Sequence, residues 1–223
     1  MQTAEDCQML ISSISHEIRN PVTLIGSYLQ LIASQHPEIR GYPYWDIIEF
    51  EMKHLQTLLN DLSAWQNGLK LCLRPIKPAE WFAAYREAML PMVLKDSLAS
   101  FTCQTETPLP TIHADADKLR QVMDNLIRNA LEASPERGPS IHLRVYAEAD
   151  VLCISLCDDG PGIPPHQMEH IFEPFVSFKK DGTGLGLAIC RRIVEAHGGT
   201  ISCSSPPGGK TEFLIRLPQE NRR

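Results

Sequence analysis

The sequence predicts an α+β chain in two parts, an N-terminal helical hairpin followed by a layered sandwich of helices and strands. Three observations predict it. Apolar residues recur at steps of three and four through Ile11, Ile14, Ile18, Val22, Ile25, Leu29 and Ile32, the spacing of one helix face. A second series, Ile48, Met52, Leu55, Leu59 and Leu62, follows after a short interruption. From Leu69 the period changes, and alternating segments such as Val151 to Cys157 stand among further helical stretches. Asn67-Gly68 reads as a helix stop between the two regimes. The expected domains are therefore 1–68 and 69–223.

The first helix is expected from about Thr3 to Gln35. Pro21 lies inside it and should bend it or leave a carbonyl unpaired. His36-Pro37 ends it, Gly41-Tyr42-Pro43 completes the connection, and the second helix runs from about Tyr44 to Gln66. A hairpin alone cannot bury both seams, so a homodimer forming a four-helix bundle is expected. In the second part, Leu71 to Ile76 reads as a short strand and Pro78 to Lys95 as a helix with proline in its first turn. Phe101 to Thr105 and Thr111 to His113 read as strands. Asp115 is a good N-cap for a helix to Ala133, closed by Ser134-Pro135. Ile141 to Ala147 and Val151 to Cys157 form a strand pair. A helix from Leu185 to His197 ends at Gly198-Gly199, and Thr200 to Cys203 and Glu212 to Leu217 close the sheet.

Composition narrows the function classes. A length of 223 residues fits one or two domains, each with its own core. A net charge of −6 argues against nucleic acid or an anionic membrane as main partner. The seven cysteines include no C-x-x-C pair, which fits a reducing compartment and disfavours cysteine-held metal. Cys153 and Cys157 read as small core residues of a strand. No apolar run approaches the ~20 residues that span a bilayer, and the first residues lack a signal-peptide pattern. The expectation is a cytoplasmic chain that does not insert into a membrane.

Four segments carry chemistry. Ser15-His16-Glu17-Ile18-Arg19-Asn20-Pro21 places a histidine about 200° from Ile14 and from Ile18, on the flank of the seam. A phosphoryl acceptor needs such an accessible neutral imidazole, and Glu17 beside it can polarise the ring or take its proton. Asn20 lies one turn further on the same face, where its amide can orient a water. By itself His16 would read as an ordinary surface histidine; the downstream segments change that. Asn125 and Asn129 are four apart on one helix, and amide oxygens suit Mg²⁺ that also holds phosphate oxygens and water. Asp158-Asp159-Gly160-Pro161-Gly162 follows an apolar strand; a carboxylate there can accept the amino hydrogens of adenine. Gly182-Thr183-Gly184-Leu185-Gly186 opens a helix whose first amides suit phosphate. The glycine pattern is neither a dinucleotide fingerprint nor a Walker motif, because it lacks the preceding strand and the Gly-Lys-Ser/Thr ending.

In this order the four segments resemble the catalytic core of a sensor histidine kinase of two-component signalling, over about Ser12 to Pro218. The resemblance implies a dimerisation and phosphotransfer domain followed by an ATP-binding sandwich of the histidine-kinase, gyrase and chaperone type. His16 would take the γ-phosphoryl of ATP and pass it to an aspartate on a response regulator receiver domain. Glu17 would assist transfer, and Asn20 would support dephosphorylation of the partner. Asn129 would hold Mg²⁺, with Asn125 as a second polar contact, and Asp158 would read the adenine amino group. The segment Phe172 to Lys180 looks like an F box and a short lid, with Phe172 and Phe175 as hinge or anchor and Lys179 or Lys180 reaching a phosphate. Leu185, with Gly160, Gly162, Gly182, Gly184 and Gly186, would complete the ATP site. Gly209-x-Thr211-x-Phe213 resembles the last glycine box, where Thr211 would support Asp158. Many relatives carry a basic residue where Glu132 stands, so no phosphate contact is expected from that position. Two alternatives remain from other classes: a phosphotransfer scaffold with an inactive ATP fold, and an ATPase of the wider fold, which would lack the His16 segment.

Overall fold

A computed structural model describes residues 2–66, 69–95, 99–134, 138–179, 182–206 and 209–219. Side chains are described from Ile18 onward, apart from Thr57, Asn60, Ala64, Gln66, Met92, Leu94 and Lys95. The chain divides into two compact units, residues 1–68 and 69–223.

The first unit is a hairpin. Helix α1 spans Gln2–Gln35, a 3₁₀ turn spans Pro37–Gly41, and α2 spans Trp45–Gln66. The helix runs on through Pro21, although proline has no N–H for the carbonyl four residues back. Val22 and Ala33 on α1 and Trp45 and Leu59 on α2 are buried. At Gly26 a side chain would stand 2.9 Å from Gln56 Nε2, the far end of a flexible side chain on α2. Arg19 reaches across to α2, where its Nη2 donates to the carbonyl of Leu59 at 3.1 Å and to the Ser63 hydroxyl. The apolar seam of α1 is not one stripe but two. Val22 is covered within the hairpin, whereas Ile18, Ile25 and Ile32 are 45%, 50% and 39% exposed. The reason is angular: residues 18, 25 and 32 are seven apart, and a seven-residue step returns to nearly the same face. Position 22 is offset from them by three and four, so it lies on the adjoining stripe.

The second unit is built on a five-stranded sheet. Its strands are β2 (Ser100–Thr105), β4 (Ser140–Glu148), β5 (Val151–Asp158), β6 (Thr200–Ser204) and β7 (Thr211–Pro218). They are ordered β2-β4-β5-β7-β6. The β2–β4 pair is parallel and the rest antiparallel. The predicted first strand shortens to β1 (Arg74–Ile76), which pairs with β3 (Ile112–Ala114) in a separate ribbon. Register aligns Leu143, Leu156 and Phe213 in one row across the sheet, and Val145, Ile154 and Ile215 in the next. All six are buried. Helices α3 (Pro78–Lys95), α4 (Ala116–Ala133) and α6 (Gly186–Ala196) contribute Phe82 and Tyr85, Leu126 and Ile127, and Ile189 and Ile193 to the core. A short α5 (Pro165–Met168) lies between β5 and α6. The opposite sheet face carries His142, Arg144, Glu212 and Arg216, each exposed or half-exposed. Cys153 and Cys157 belong to that face, opposite Tyr146 with Arg216 and His142 with Glu212 respectively. Cys153 is buried but Cys157 is half-exposed, so the reading of both as core residues holds only for the first. Among the described residues, Cys72, Cys103, Cys153, Cys157, Cys190 and Cys203 form no disulfide.

Two polar ties fix the helices that matter for the site. Asp115 caps α4, accepting from the N–H groups of Asp117 and Lys118, each at 3.1 Å, and from Cys72 N at 2.9 Å. Its own N–H donates to His197 Nε2 at 3.0 Å, just beyond the end of α6. Tyr85 Oη donates to Asp124 Oδ1 at 2.8 Å and locks α3 to α4. Pro135 and the Asn67-Gly68 stop lie outside the described residues.

Candidate functional site

Three elements of the second unit converge: the C-terminal half of α4, the end of β5 with its partner β7, and the glycine-rich approach to α6. Asn125 and Asn129 lie one turn apart on α4. Asn125 is buried, and its amide is engaged at both ends. Its Nδ2 donates to the carbonyl of Gly186 at 3.4 Å, and its Oδ1 accepts from Arg128 Nη2. This residue therefore joins α4 to the start of α6. Asn129 is half-exposed, and its Oδ1 accepts from Lys179 Nζ at 3.1 Å. An ammonium at that oxygen means that the position already suits a cation. A hard amide oxygen is a fitting Mg²⁺ ligand. Among the described residues no group of three or more His, Cys, Asp or Glu forms a metal cage.

Asp158 ends β5 and is 4% exposed. Burial pushes its carboxyl above the usual range; the Gly160 N–H opposes this, and the neighbouring Asp159 adds to it. Its Oδ1 accepts from Gly160 N at 2.9 Å. A side chain at Gly160 would stand 2.7 Å from that same oxygen, so it would have to displace the Asp158 carboxylate. Asp158 is registered opposite Thr211 on β7. Thr211 Oγ1 is 3.0 Å from Ser205 Oγ, which accepts from Ile163 N at 2.8 Å. This hydroxyl chain ties the Gly162 loop to the strand beside Asp158. The sequence reading missed Ser205, since nothing about a serine before a proline marks it.

The glycine segment leads into α6 through Gly182, Gly184 and the buried Leu185. Leu185 N donates to Thr183 Oγ1 at 3.0 Å. Phe175 N donates to the carbonyl of Gly184 at 3.0 Å. Both residues have positive φ, 65° and 67°. A side chain at Gly184 would lie 2.6 Å from the backbone of Phe175 and Val176, so the two backbones meet only because this residue is glycine. The phenylalanines of this segment differ in their surroundings. Phe172 is buried, edge-on to Phe213, with the Arg191 guanidinium over its ring at 4.4 Å. Phe175 and Phe178 are 59% and 51% exposed. Lys179 Nζ reaches Glu132 Oε2 at 2.6 Å as well as Asn129. Lys180 lies outside the described residues. So do the side chains of His16 and Glu17, whose backbone lies in α1; Asn20 is exposed on the same helix.

Comparison with known proteins matches two family models in order along the chain. Residues 8–67 match the His Kinase A (phospho-acceptor) domain, and residues 114–221 match the histidine kinase-, DNA gyrase B- and HSP90-like ATPase family. The sensory histidine kinase/phosphatase NtrB of Salmonella typhimurium is 33% identical over 220 residues, covering 94% of this chain and 61% of NtrB. Full-length ShkA in complex with AMPPNP superposes with a TM-score of 0.76 at 27% identity, covering 94% of this chain and 45% of that one. Histidine kinase ThkA in complex with the response regulator protein TrrA gives a TM-score of 0.69 at 27% identity, covering 96% and 62%. The chain spans about half the length of other curated relatives that it matches.

Proposed function

We propose that this chain, which belongs to the histidine kinases of two-component signalling, is an ATP-dependent protein-histidine kinase acting as a homodimer. The observation that carries the reading is the convergence of Asp158, Asn129 and the Gly182–Gly186 segment in one unit, with a phospho-acceptor helix in the other. Asp158 would accept the adenine amino hydrogens, with Thr211 and Ser205 holding the strand and loop beside it. The amides entering α6 would meet phosphate oxygens. Asn129 would hold Mg²⁺, which would supply charge neutralisation on the phosphates. In the transfer a bond forms between an imidazole nitrogen of His16 and the γ-phosphorus. The bond to the bridging β–γ oxygen breaks, and ADP leaves. Glu17 would take the imidazole proton.

The onward acceptor would be an aspartate on a response regulator, in keeping with the ThkA complex with TrrA. Asn20, exposed one turn beyond His16, would hold the water that removes phosphate from that regulator, as the kinase/phosphatase name of NtrB suggests by analogy. The exposed Ile18, Ile25 and Ile32 stripe would be covered by a second copy, giving the four-helix bundle. ATP labelled at the γ position tests the reading. The label should enter the protein, survive base and be lost in acid. His16→Gln should remove it while nucleotide binding persists. A label that enters His16→Gln at the wild-type rate would place the acceptor elsewhere.

A further inference from the structure

The phosphotransfer reading leaves Glu132 without a role, yet the structure gives it a specific partner. Glu132 ends the exposed side of α4, three residues beyond Asn129, so both project toward one side of the helix. Lys179 comes from the lid. Its ammonium donates to Glu132 Oε2 at 2.6 Å and to Asn129 Oδ1 at 3.1 Å. The lid turns locally at this point: Lys179 N donates to Ser177 Oγ at 3.2 Å, and Ser177 Oγ donates to the Lys179 carbonyl at 3.2 Å. Arg128 Nε stands 4.0 Å from the other carboxylate oxygen of Glu132. The lysine and glutamate side chains are 42% and 48% exposed. Such a pair adds little to the stability of the fold. It fixes position instead, because lysine is a point charge on a long flexible stem that points nowhere unless held.

We propose that Glu132 is a positioning residue acting through Lys179: it holds the lid ammonium beside the Asn129 amide oxygen, so the lid presents a cation at the phosphate site before nucleotide arrives. The proposal rests on the nucleotide site described under Proposed function. It has a consequence that plain charge repulsion lacks. A carboxylate near a triphosphate is unfavourable by itself. With Lys179 present, Glu132 should favour nucleotide binding; without Lys179, it should oppose it.

Two measurements on the full chain test this. Binding of a trinitrophenyl-ATP analogue with Mg²⁺ is titrated in wild type, Glu132→Gln, Lys179→Met and the double variant, all with matching melting temperatures. Glu132→Gln should weaken binding about threefold in the wild-type background and tighten it about threefold in the Lys179→Met background. That is a coupling of about tenfold, or about 1.4 kcal/mol. The same factor in both backgrounds would overturn the proposal. Amide hydrogen exchange over residues 176–179 in the nucleotide-free protein should rise severalfold in both single variants; unchanged exchange would show that no tether exists. A wild type that binds no analogue would sink the nucleotide reading and the positioning role with it. The exchange result would still decide whether the tether itself is real.

Discussion

The two units treat their apolar residues differently. In residues 69–223, Ile141, Leu143, Val145, Leu152, Ile154 and Leu156 are each at most 1% exposed, covered by helices of the same unit. In residues 1–68, Val22, Ala33, Trp45 and Leu59 are buried, while Ile18, Ile25, Ile32, Ile47, Ile48 and Leu55 remain more than a third exposed. The sheet unit closes its core within itself; the hairpin leaves a face open. Periodicity alone therefore tells which side of a helix is apolar, but not what covers it. The open face also belongs to the helix that carries His16, so assembly and phosphoryl acceptance would depend on the same segment.

The largest effect should come from breaking the open face. Ile25→Glu places a carboxylate in the proposed dimer seam, where an unpaired buried charge costs several kcal/mol. The homodimer should weaken by on the order of 100-fold or more, as read by sedimentation or light scattering. Nucleotide binding by residues 69–223 should not change. An Ile25→Glu protein that stays dimeric would place the interface on another face.

The next effect belongs to the closed unit alone. Asp158→Asn should weaken nucleotide binding by about 1.5–3 kcal/mol, the worth of a hydrogen bond to a charged group, and leave the dimer intact. Burial raises the Asp158 carboxyl above the usual range. Wild-type affinity should therefore fall with decreasing pH earlier than an ordinary carboxylate would dictate, because the protonated acid loses its charge as an acceptor. Asp158→Asn should flatten that profile. A variant that keeps both wild-type affinity and the acid-side fall would put the adenine elsewhere.

The smallest effect lies at the base of the site. Asp115→Ala removes the cap of α4, and about 1 kcal/mol of stability should go with it. Burial pushes the Asp115 carboxyl up, but the N–H groups of Cys72, Lys118 and Asp117 outweigh this and hold it below the usual range. A carboxyl with a lowered folded-state pKa stabilises the fold above its unfolded value. That contribution is lost as pH falls through the folded value. Wild type and Asp115→Ala should therefore differ at neutral pH and converge in acid, as followed by denaturant midpoint. A difference that persists unchanged in acid would refer the effect to lost packing rather than to the carboxylate.

Local structure was legible from the residues alone. Helix α4 begins where Asp115 promised, and α3 matches the expected bounds, because caps, turns and periods act over a few residues. The four chemical segments were legible for the same reason: each is a short run with its own spacing. Tertiary structure decided what joins distant residues. It split the α1 seam into a covered and an open stripe and engaged Asn125 with both Gly186 and Arg128. It also placed Ser205 against Thr211 and brought Lys179 onto Asn129 and Glu132. The parallel pairing of β2 with β4, across the whole of α4, is of the same kind. A strand pattern states that a segment is extended and which residues share a face, but the choice of neighbour is made by the packing of the whole core. The carboxylate of Glu132 is a solvent-facing helix residue by every local rule, and only the return of the lid gives it a partner.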